Sequence, residues 1–376
     1  MNGCFSGCTA LKQISIPTTV TYIGGGVFEG CTALEDVGDL SNVTTIHNGT
    51  FTDTTALAID IEVPSLTSMI GSSFLRSGIT KFSAPLLEVI PGGSLYNNGP
   101  FTNCKNLIEV NVLSITSIGK AAFAECTLLS KVSDLSNVTV LGDRAFQNCE
   151  SLEFEDLSLP NLETLGHNAF KGVGIKKISN LGKLTALPPS DTSTQHYGKK
   201  DVLEEIVLPD TLTSIPDSGV RGYTALNSIN IPQGVTIIGV SAFAGNTNMI
   251  IEDLSLPNLT SLGGNSFWGT KIKKVSNLGS ITTLAGGANT DGPFNSCPDL
   301  RSVRLPVTLT SIGDLVFYGC TLDELIMDAT TPPTLGSFRG TINTIYVPDA
   351  SVTAYREATN WSAYADRILP LSEYAE

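Results

Sequence analysis

Residues 226–245 read LNSINIPQGVTIIGVSAFAG, and this stretch decides the fold. Ile229 and Ile231 alternate with polar residues, which predicts a short β-strand with one buried face. Pro232 ends the strand, because proline has no N–H group for the next ladder hydrogen bond. A second apolar group leads to Phe243, so the stretch predicts one coil of chain with its apolar side chains turned inward.

Phe243 belongs to a series that recurs along the chain. Most steps between consecutive members are 22 to 24 residues long. A fixed period of that length predicts a repeat solenoid, in which each coil packs on its two neighbours. Two members are missing after Phe170, and the spacing assigns their places to Tyr197 and Val220. The phenylalanines of the series are Phe5, Phe28, Phe51, Phe74, Phe101, Phe123, Phe146, Phe170, Phe243, Phe267, Phe294, Phe317 and Phe338.

The coils are grouped in fours. Every fourth step of the series has 27 residues, and residues 155–162 (EDLSLPNL) recur as residues 252–259. The extra length predicts long loops at equivalent points, forming a row of protrusions along one edge where binding sites are frequent. Tolerated length variation in a duplicated unit is the alternative. These loops are residues 92–99, 188–199 and 285–293.

Glycines and variant strands mark the irregular points of a coil. We expect Gly24 and Gly30 to form corners with unusual backbone dihedral angles. In some repeats the second apolar residue of the strand is displaced by one place, as in Val37-x-x-Leu40 and Ile178-x-x-Leu181. That displacement predicts a local bulge or kink.

Composition limits the function. The 376 residues carry a net charge of −14, and a nucleic-acid-binding protein would need clustered Lys and Arg, so we expect no nucleic acid partner. No apolar run reaches the roughly 18 residues of a membrane span. Motifs of nucleophilic, phosphate-binding or zinc enzymes are absent from the sequence, so we expect no enzymatic activity and no cofactor. We expect a monomer.

Eight cysteines raise the question of disulfides or metal ligands. Seven of them lie three residues after a member of the phenylalanine series, a position that Val173 and Thr54 fill in other coils. A position that accepts valine is not a metal ligand, so we expect buried, unpaired thiols. Cys4 is expected to be a packing residue as well. The seven are Cys8, Cys31, Cys104, Cys126, Cys149, Cys297 and Cys320.

The chain divides into a predicted solenoid of residues 1–340 with about 15 coils, one for each member of the phenylalanine series, and a predicted cap of residues 341–376. Asp349 is the expected N-cap of a helix with Val352 and Tyr355 on one face. A solenoid needs such a cap over its last hydrophobic coil. At the other end the sequence opens within a repeat, so we expect a frayed first coil or a missing upstream segment. The residues expected to fold over the last coil are Trp361, Tyr364 and Ile368.

The motif of residues 226–243, Leu-x-x-Ile-x-Ile-Pro-x-x-Val-Thr-x-Ile-Gly-x-x-Ala-Phe, resembles the BspA-type leucine-rich repeat. Residues 346–366 are similar to the closing segment of such proteins, and the resemblance covers essentially the whole chain. It implies a right-handed leucine-rich-repeat superhelix of short parallel β-strands with irregular or 3-10 segments and a small helical cap. It also implies a cell-surface or secreted protein that binds a host extracellular-matrix protein, another cell-surface protein or a glycan. The repeat motif fixes no ligand residue.

Charged residues precede the central apolar residue of successive strands, and neighbours frequently have opposite sign. Stacked strands would pair these charges across coils, which favours control of register; a charged recognition stripe is the alternative. Lys81, Lys177 and Lys274 are the cationic candidates on this face. The next outward position is mostly serine, asparagine or glycine, a flat surface that an extended polypeptide or glycan could occupy.

Four aromatic or histidine side chains complete the candidate binding surface: Tyr96, His196, Tyr197 and Trp268. The leading hypothesis is adhesion to a host or cell-surface macromolecule. The rival hypothesis is a structural spacer that holds another domain away from the cell. An adhesin should expose an apolar or aromatic patch, whereas a spacer should be uniformly polar.

Overall fold

The structure is a computed structural model that describes residues 2–93, 98–188, 196–286 and 292–375. The chain is a parallel β-solenoid of about 14 turns, which confirms the predicted fold class. It comprises two compact units. Unit 1 is Met1–Leu184 with Thr194–Lys199, and unit 2 is Thr185–Ser193 with Lys200–Glu376. The boundary between a solenoid of residues 1–340 and a cap of residues 341–376 stays a prediction.

The strands are short because each coil must turn several times within one repeat. Each strand contributes a few ladder bonds, and the ladder continues in the next coil. In the described part of the chain they are β1 (Tyr22–Ile23), β2 (Thr45–Ile46), β3 (Asp60–Glu62), β4 (Ser68–Met69), β5 (Lys81–Ser83), β6 (Val89–Ile90), β7 (Glu109–Asn111), β8 (Ser117–Ile118), β9 (Lys131–Val132), β10 (Val140–Leu141), β11 (Glu153–Phe154), β12 (Leu157–Ser158), β13 (Thr164–Leu165), β14 (Gly174–Ile175), β15 (Lys177–Asn180), β16 (Glu205–Ile206), β17 (Ser214–Ile215), β18 (Ser228–Ile229), β19 (Ile237–Ile238), β20 (Ile250–Ile251), β21 (Leu254–Ser255), β22 (Ser261–Leu262), β23 (Lys271–Ile272), β24 (Lys274–Asn277), β25 (Thr283–Leu284), β26 (Ser302–Leu305), β27 (Ser311–Ile312), β28 (Thr321–Met327), β29 (Thr334–Leu335), β30 (Thr341–Val347) and β31 (Ile368–Pro370).

Two stacks of strands run through each unit. The first sheet contains the strand of the Ile-x-Ile motif, as β3-β5-β7-β9 and β12-β15 in unit 1 and as β16-β18 and β21-β24-β26-β28-β30-β31 in unit 2. The second sheet contains the strand that directly precedes the position of Gly24 in each coil, as β1-β2-β4 and β6-β8-β10-β13 in unit 1 and as β17-β19-β22 and β25-β27-β29 in unit 2. Pairing is parallel and joins equivalent residues of successive coils, such as Phe82 with Val110. Equivalent residues therefore form columns along each unit.

The phenylalanine series forms the most regular of these columns, named here the Phe column. In unit 1 its rings stack from Phe5 to Phe170 with centroids 5.0 to 5.7 Å apart. In unit 2 the rings from Phe243 to Phe338 follow at 5.2 to 5.9 Å. Such spacing is typical of favourable aromatic pairs. Tyr197 is fully buried, as expected for a member of this column.

Corners on both sides of the Phe column use left-handed backbone conformations. Positions are counted from the Phe column, so that +2 lies two residues after it. Position +2 has positive φ in most coils, and the prediction is right for Gly30, with φ of 72°. For Gly24 it is wrong, because the second corner is at position −2, where Gly26 has φ of 63°.

Glycine at the Gly24 position has another cause, which is visible in equivalent coils. A Cβ atom on Gly239 would lie 2.4 Å from the backbone nitrogen of Asp217, and one on Gly142 would lie 2.5 Å from that of Lys120. Adjacent coils approach each other here more closely than a side chain allows. The glycine therefore permits tight stacking rather than an unusual φ.

The variant strand of Ile178 contains the predicted bulge, whereas the bulge expected at Val37-x-x-Leu40 stays a prediction. Leu157 pairs with Ile178, but Ser158 pairs with Asn180, so Ser179 has no register partner. The same shift recurs between β21 and β24 in unit 2. The extra residue accommodates the displaced apolar side chain.

The C-terminal residues fold over the last coil as predicted. Helix α1 (Val352–Glu357) is flanked by 3-10 turns at Asp349–Ser351, Trp361–Arg367 and Leu371–Glu373. Trp361 is buried and its Nε1–H donates to the Pro333 carbonyl at 2.7 Å. The N-cap prediction is wrong: α1 begins after Ser351, and Asp349 instead accepts a 3.0 Å hydrogen bond from the Ser372 backbone. That bond lowers the pKa of Asp349.

Candidate binding surfaces

Two of the predicted surface residues are buried. His196 is 1% exposed and Tyr197 is 0% exposed, so the prediction that they form a binding surface is wrong. Tyr197 fills the Phe column, which its spacing already indicated. His196 precedes it inside the stack, where its Nδ1 accepts a 3.0 Å hydrogen bond from the Asn168 backbone N–H and its ring meets His167.

The predicted loops are only partly visible. Tyr96 lies outside the described residues, as do residues 189–195 and 287–291. The prediction that these loops form a row of protrusions therefore stays a prediction.

The charged column of the first sheet is paired across coils in unit 1. Lys81 Nζ lies 3.6 Å from Asp60 and 3.9 Å from Glu109, and Lys131 Nζ lies 2.5 Å from Glu109. The hydrogen bond from Lys131 lowers the pKa of Glu109. Register partners thus alternate in sign, which supports the interpretation that this column controls register.

The other two lysines of this face have different surroundings. Lys177 is half-buried in β15, and Lys274 is exposed in β24 opposite Ser302. Unit 2 places an ion pair one residue earlier, where Lys273 Nζ lies 2.7 Å from Glu252. A ligand-binding role for the three lysines stays a proposal.

Polar side chains of the next column bond to neighbouring coils. The Val112 backbone N–H donates to Ser133 Oγ at 2.7 Å. Asn230 accepts from the Leu208 N–H at 2.6 Å and donates to the Leu208 carbonyl at 2.9 Å. These groups bridge coils of the protein itself, which reduces their availability for a ligand.

Burial was predicted for all eight cysteines, and six of them are buried along the inside of the corner. Each Sγ–H donates to a Phe-column carbonyl of the preceding coil, as Cys104 does to Phe74 at 2.9 Å. Burial raises the pKa of Cys104 to about 12, so its thiol stays protonated at neutral pH. Cys4 and Cys8 are exposed, so the prediction that they are buried is wrong. The other buried cysteines are Cys31, Cys126, Cys149, Cys297 and Cys320.

Apolar side chains are exposed on the turn that leads from the first sheet to the second. Leu86 lies in the turn closed by the Leu87 N–H and the Ala84 carbonyl, and Leu113 lies in the equivalent turn of the next coil. Leu113 is 64% exposed. We name the apolar part of this column the turn ridge; it consists of Pro64, Pro85, Leu86 and Leu113.

A second exposed group lies at the outer corner of unit 2. Trp268 and Tyr318 occupy position +1 in two coils separated by one intervening coil, and they are 41% and 47% exposed. The sequence indicated Trp268 but not Tyr318 or Leu113. Trp268 and Tyr318 both directly follow a member of the Phe column, and Leu113 lies in the turn after the first strand of its coil. These fixed positions in the repeat are the signal that could have identified them as exposed residues.

Within the described residues, no three His, Cys, Asp or Glu side chains are placed to hold a metal ion. None of the helices there is long and apolar enough to cross a membrane.

Solved structures include similar solenoids. A leucine-rich repeat protein from Bacteroides ovatus is 20% identical, with 98% of this chain and 86% of that chain aligned and a TM-score of 0.45. A leucine-rich cell surface protein from Faecalibacterium prausnitzii is 20% identical over 96% of this chain and 78% of that chain, with a TM-score of 0.35. The pneumococcal vaccine antigen PcpA is 16% identical over 96% and 88%, with a TM-score of 0.33. No curated protein matches the sequence.

The profile of the BspA-type leucine-rich repeat region matches almost the whole sequence. The matched segments are residues 1–99, 94–190, 193–291 and 290–344. The first three segments each span about one group of four coils, in agreement with the four-coil period. The chain therefore belongs to the BspA-type leucine-rich repeat family.

Proposed function

We propose that this chain is a non-enzymatic binding protein that acts at the cell surface or after secretion and recognises a host or cell-surface protein. The turn ridge is the observation that carries the proposal. Leucine side chains at adjacent exposed positions are costly to leave in water, and grouped apolar exposure is typical of interaction sites. A leucine-rich-repeat solenoid offers such columns on a rigid scaffold.

Neighbouring coils show that the turn does not need apolar side chains. The positions of Leu113 and Leu86 are occupied by Ser136 and Asn137 in another coil of unit 1, where the same turn forms. The requirements of the turn therefore do not explain why some coils have apolar residues at these positions and others have polar ones. They fit a local contact with the apolar surface of a protein partner.

The test is binding of the purified chain to an array of extracellular-matrix and cell-surface proteins. The variant Leu86→Asn/Leu113→Ser installs the residues that the turn of residues 135–138 already contains, so the fold should persist. We expect loss of at least tenfold in affinity for the bound protein. Val307→Ser is the matched control, because Val307 is also 64% exposed in the corresponding turn of unit 2.

Two results would count against the proposal. Unchanged affinity in the double variant would remove the turn ridge from the binding site. The absence of any protein ligand would favour the structural spacer, which needs no recognition surface.

A further inference from the structure

We propose that the outer corner of unit 2 is a second, separate binding site, which takes an extended, uncharged β-linked polysaccharide by stacking sugar rings on Trp268 and Tyr318. The site does not depend on the turn ridge, which lies in unit 1. It is defined by the two aromatic residues at position +1 and by the glycines at position +2. We name it the aromatic strip; its glycines are Gly222, Gly245, Gly269 and Gly319.

The coils on either side of Trp268 have small buried residues at position +1, whereas Arg221 and Arg339 hold that position at the two ends of the series in unit 2. Ala244 and Asn295 occupy the same position in adjacent coils and are buried. Trp268 and Tyr318 therefore rise above their neighbours, with the coil of Asn295 between them. The result is two separated aromatic platforms on one line rather than a continuous apolar patch.

Glycine at position +2 leaves space beside the indole. A Cβ atom on Gly245 would lie 3.8 Å from Cζ3 of Trp268, so the indole lies against bare backbone of the preceding coil. Apart from its chain neighbours Trp268 and Thr270, no residue has an atom within 4 Å of such a position on Gly269. The indole is thus supported on one side by the backbone of Gly245, and Trp268 is 41% exposed, as a stacking platform requires.

The spacing suits a sugar chain. Consecutive Phe-column rings beneath this surface are 5.9 Å apart, from Phe267 to Phe294 and from Phe294 to Phe317. Two coil steps correspond to about 12 Å at this ring spacing and to about 10 Å at the usual spacing of strands. That is comparable with the length of a disaccharide in an extended β-linked polysaccharide, so alternate sugar rings can meet Trp268 and Tyr318.

The polar atoms of the two side chains are available. In the part of the chain that the structure describes, neither Nε1 of Trp268 nor the hydroxyl of Tyr318 has a hydrogen-bond partner. Exposed Trp and Tyr combine an apolar face with a polar edge, which matches the apolar face and the hydroxyl groups of a pyranose ring. The net charge of −14 favours an uncharged polymer over an acidic one.

An extended peptide fits this corner less well. Strand addition needs unpaired backbone N–H and C=O groups. Here the backbone is already bonded between coils: the Gly245 N–H donates to the Trp268 carbonyl at 2.8 Å, and the Ser296 N–H donates to the Tyr318 carbonyl at 2.7 Å. The exposed rings, and not the backbone, are therefore the groups that a ligand can use.

Intrinsic fluorescence tests the proposal directly. The chain has two tryptophans, and Trp361 is buried in the C-terminal fold, so a ligand at the aromatic strip should change the emission of Trp268. We expect saturable changes with hydroxyethyl cellulose or soluble β-mannan, and none with dextran, whose linkages are α. Trp268→Ala and Tyr318→Ala should each weaken binding at least tenfold, as measured by affinity electrophoresis in gels containing the polysaccharide.

Gln147→Ala is the matched control, because Gln147 holds position +1 in unit 1; its affinity should equal that of the wild type. Thermal unfolding midpoints verify that each variant folds. Three results would overturn the proposal: no response to any β-linked polysaccharide, undiminished binding in Trp268→Ala/Tyr318→Ala, or a fluorescence response to matrix proteins alone. The turn-ridge variant should still bind the polysaccharide, which separates this site from the proposed protein-binding function.

Discussion

The outer corners of unit 1 and unit 2 solve the same backbone problem with different residues. Both need positive φ at position +2. Unit 2 mostly uses glycine, which adopts this conformation without strain. Unit 1 uses side-chain-bearing residues in five coils, at a cost of about 1–2 kcal/mol each, which is smaller for Asn and Asp. They are Asp53, Arg76, Asn103, Glu125 and Asn148.

Several of the unit 1 side chains bond to each other across coils. Arg76 donates to Asp53 at 2.5 and 2.7 Å, and Asn148 donates to Glu125 at 2.8 Å. Four of the five side chains of the unit 1 corner are thus paired with each other, whereas the corner of unit 2 has glycine backbone beside two exposed aromatic rings. One repeat therefore supports two surfaces, because position +2 constrains only the backbone.

The largest expected effect on stability comes from substitutions in the Phe column, which is present in each unit. Phe101 and Phe294 each follow a long step of the series. Replacing either by alanine should cost about 3–5 kcal/mol in the free energy of unfolding, because a buried ring leaves a cavity. Phe101→Ala should cost the more, since Phe101 also meets the edge of Phe82 at 4.8 Å.

Urea unfolding can assign these losses to the units. Both tryptophans lie in unit 2, so fluorescence reports that unit and circular dichroism reports the whole chain. A loss below about 2 kcal/mol for either variant would mean that the column relaxes around the cavity. The predicted loss of about 3–5 kcal/mol would then be wrong for that position of the Phe column.

The next effect tests the glycine corner of unit 2. Gly269→Ala adds a methyl group that would have no atom within 4 Å outside the adjacent residues Trp268 and Thr270, so overlap with other coils is not the problem. The strain comes from φ of 74°, and the variant should lose about 1–2 kcal/mol of stability. An unfolding midpoint equal to that of the wild type would show that glycine is not required there for its backbone conformation.

Much of this fold could be predicted from the sequence because stacking repeats one environment in every coil. The spacing alone placed Tyr197 inside the Phe column and most of the cysteines beside it. The spacing could not place the corner at Gly26 rather than Gly24, because glycine recurs at both positions. Only the backbone conformation shows that one glycine has positive φ and that the other permits close approach of adjacent coils. Exposure of Tyr318 was equally hidden, since position +1 is buried in some coils, as at Leu75 and Asn295, and exposed in others.

The smallest expected effect concerns the corner of unit 1. Asn103 has φ of 59°, and in the described residues its side chain makes no hydrogen bond across coils. Asn103→Gly should relieve strain, partly offset by the greater flexibility of glycine in the unfolded chain, for a net gain of about 0.5 kcal/mol. The measurement is the urea midpoint at constant m-value.

Arg76→Gly is the comparison variant, because it relieves a larger strain than Asn103→Gly but removes the ion pair with Asp53. That pair is solvent-exposed and should contribute less than about 1 kcal/mol, so the two terms nearly cancel. A gain in Arg76→Gly that exceeds the gain in Asn103→Gly would mean that the ion pair stabilises nothing. A loss of stability in Asn103→Gly would mean that contacts of the Asn103 side chain stabilise the fold by more than the backbone strain costs. The two corners would then differ in packing as well as in surface.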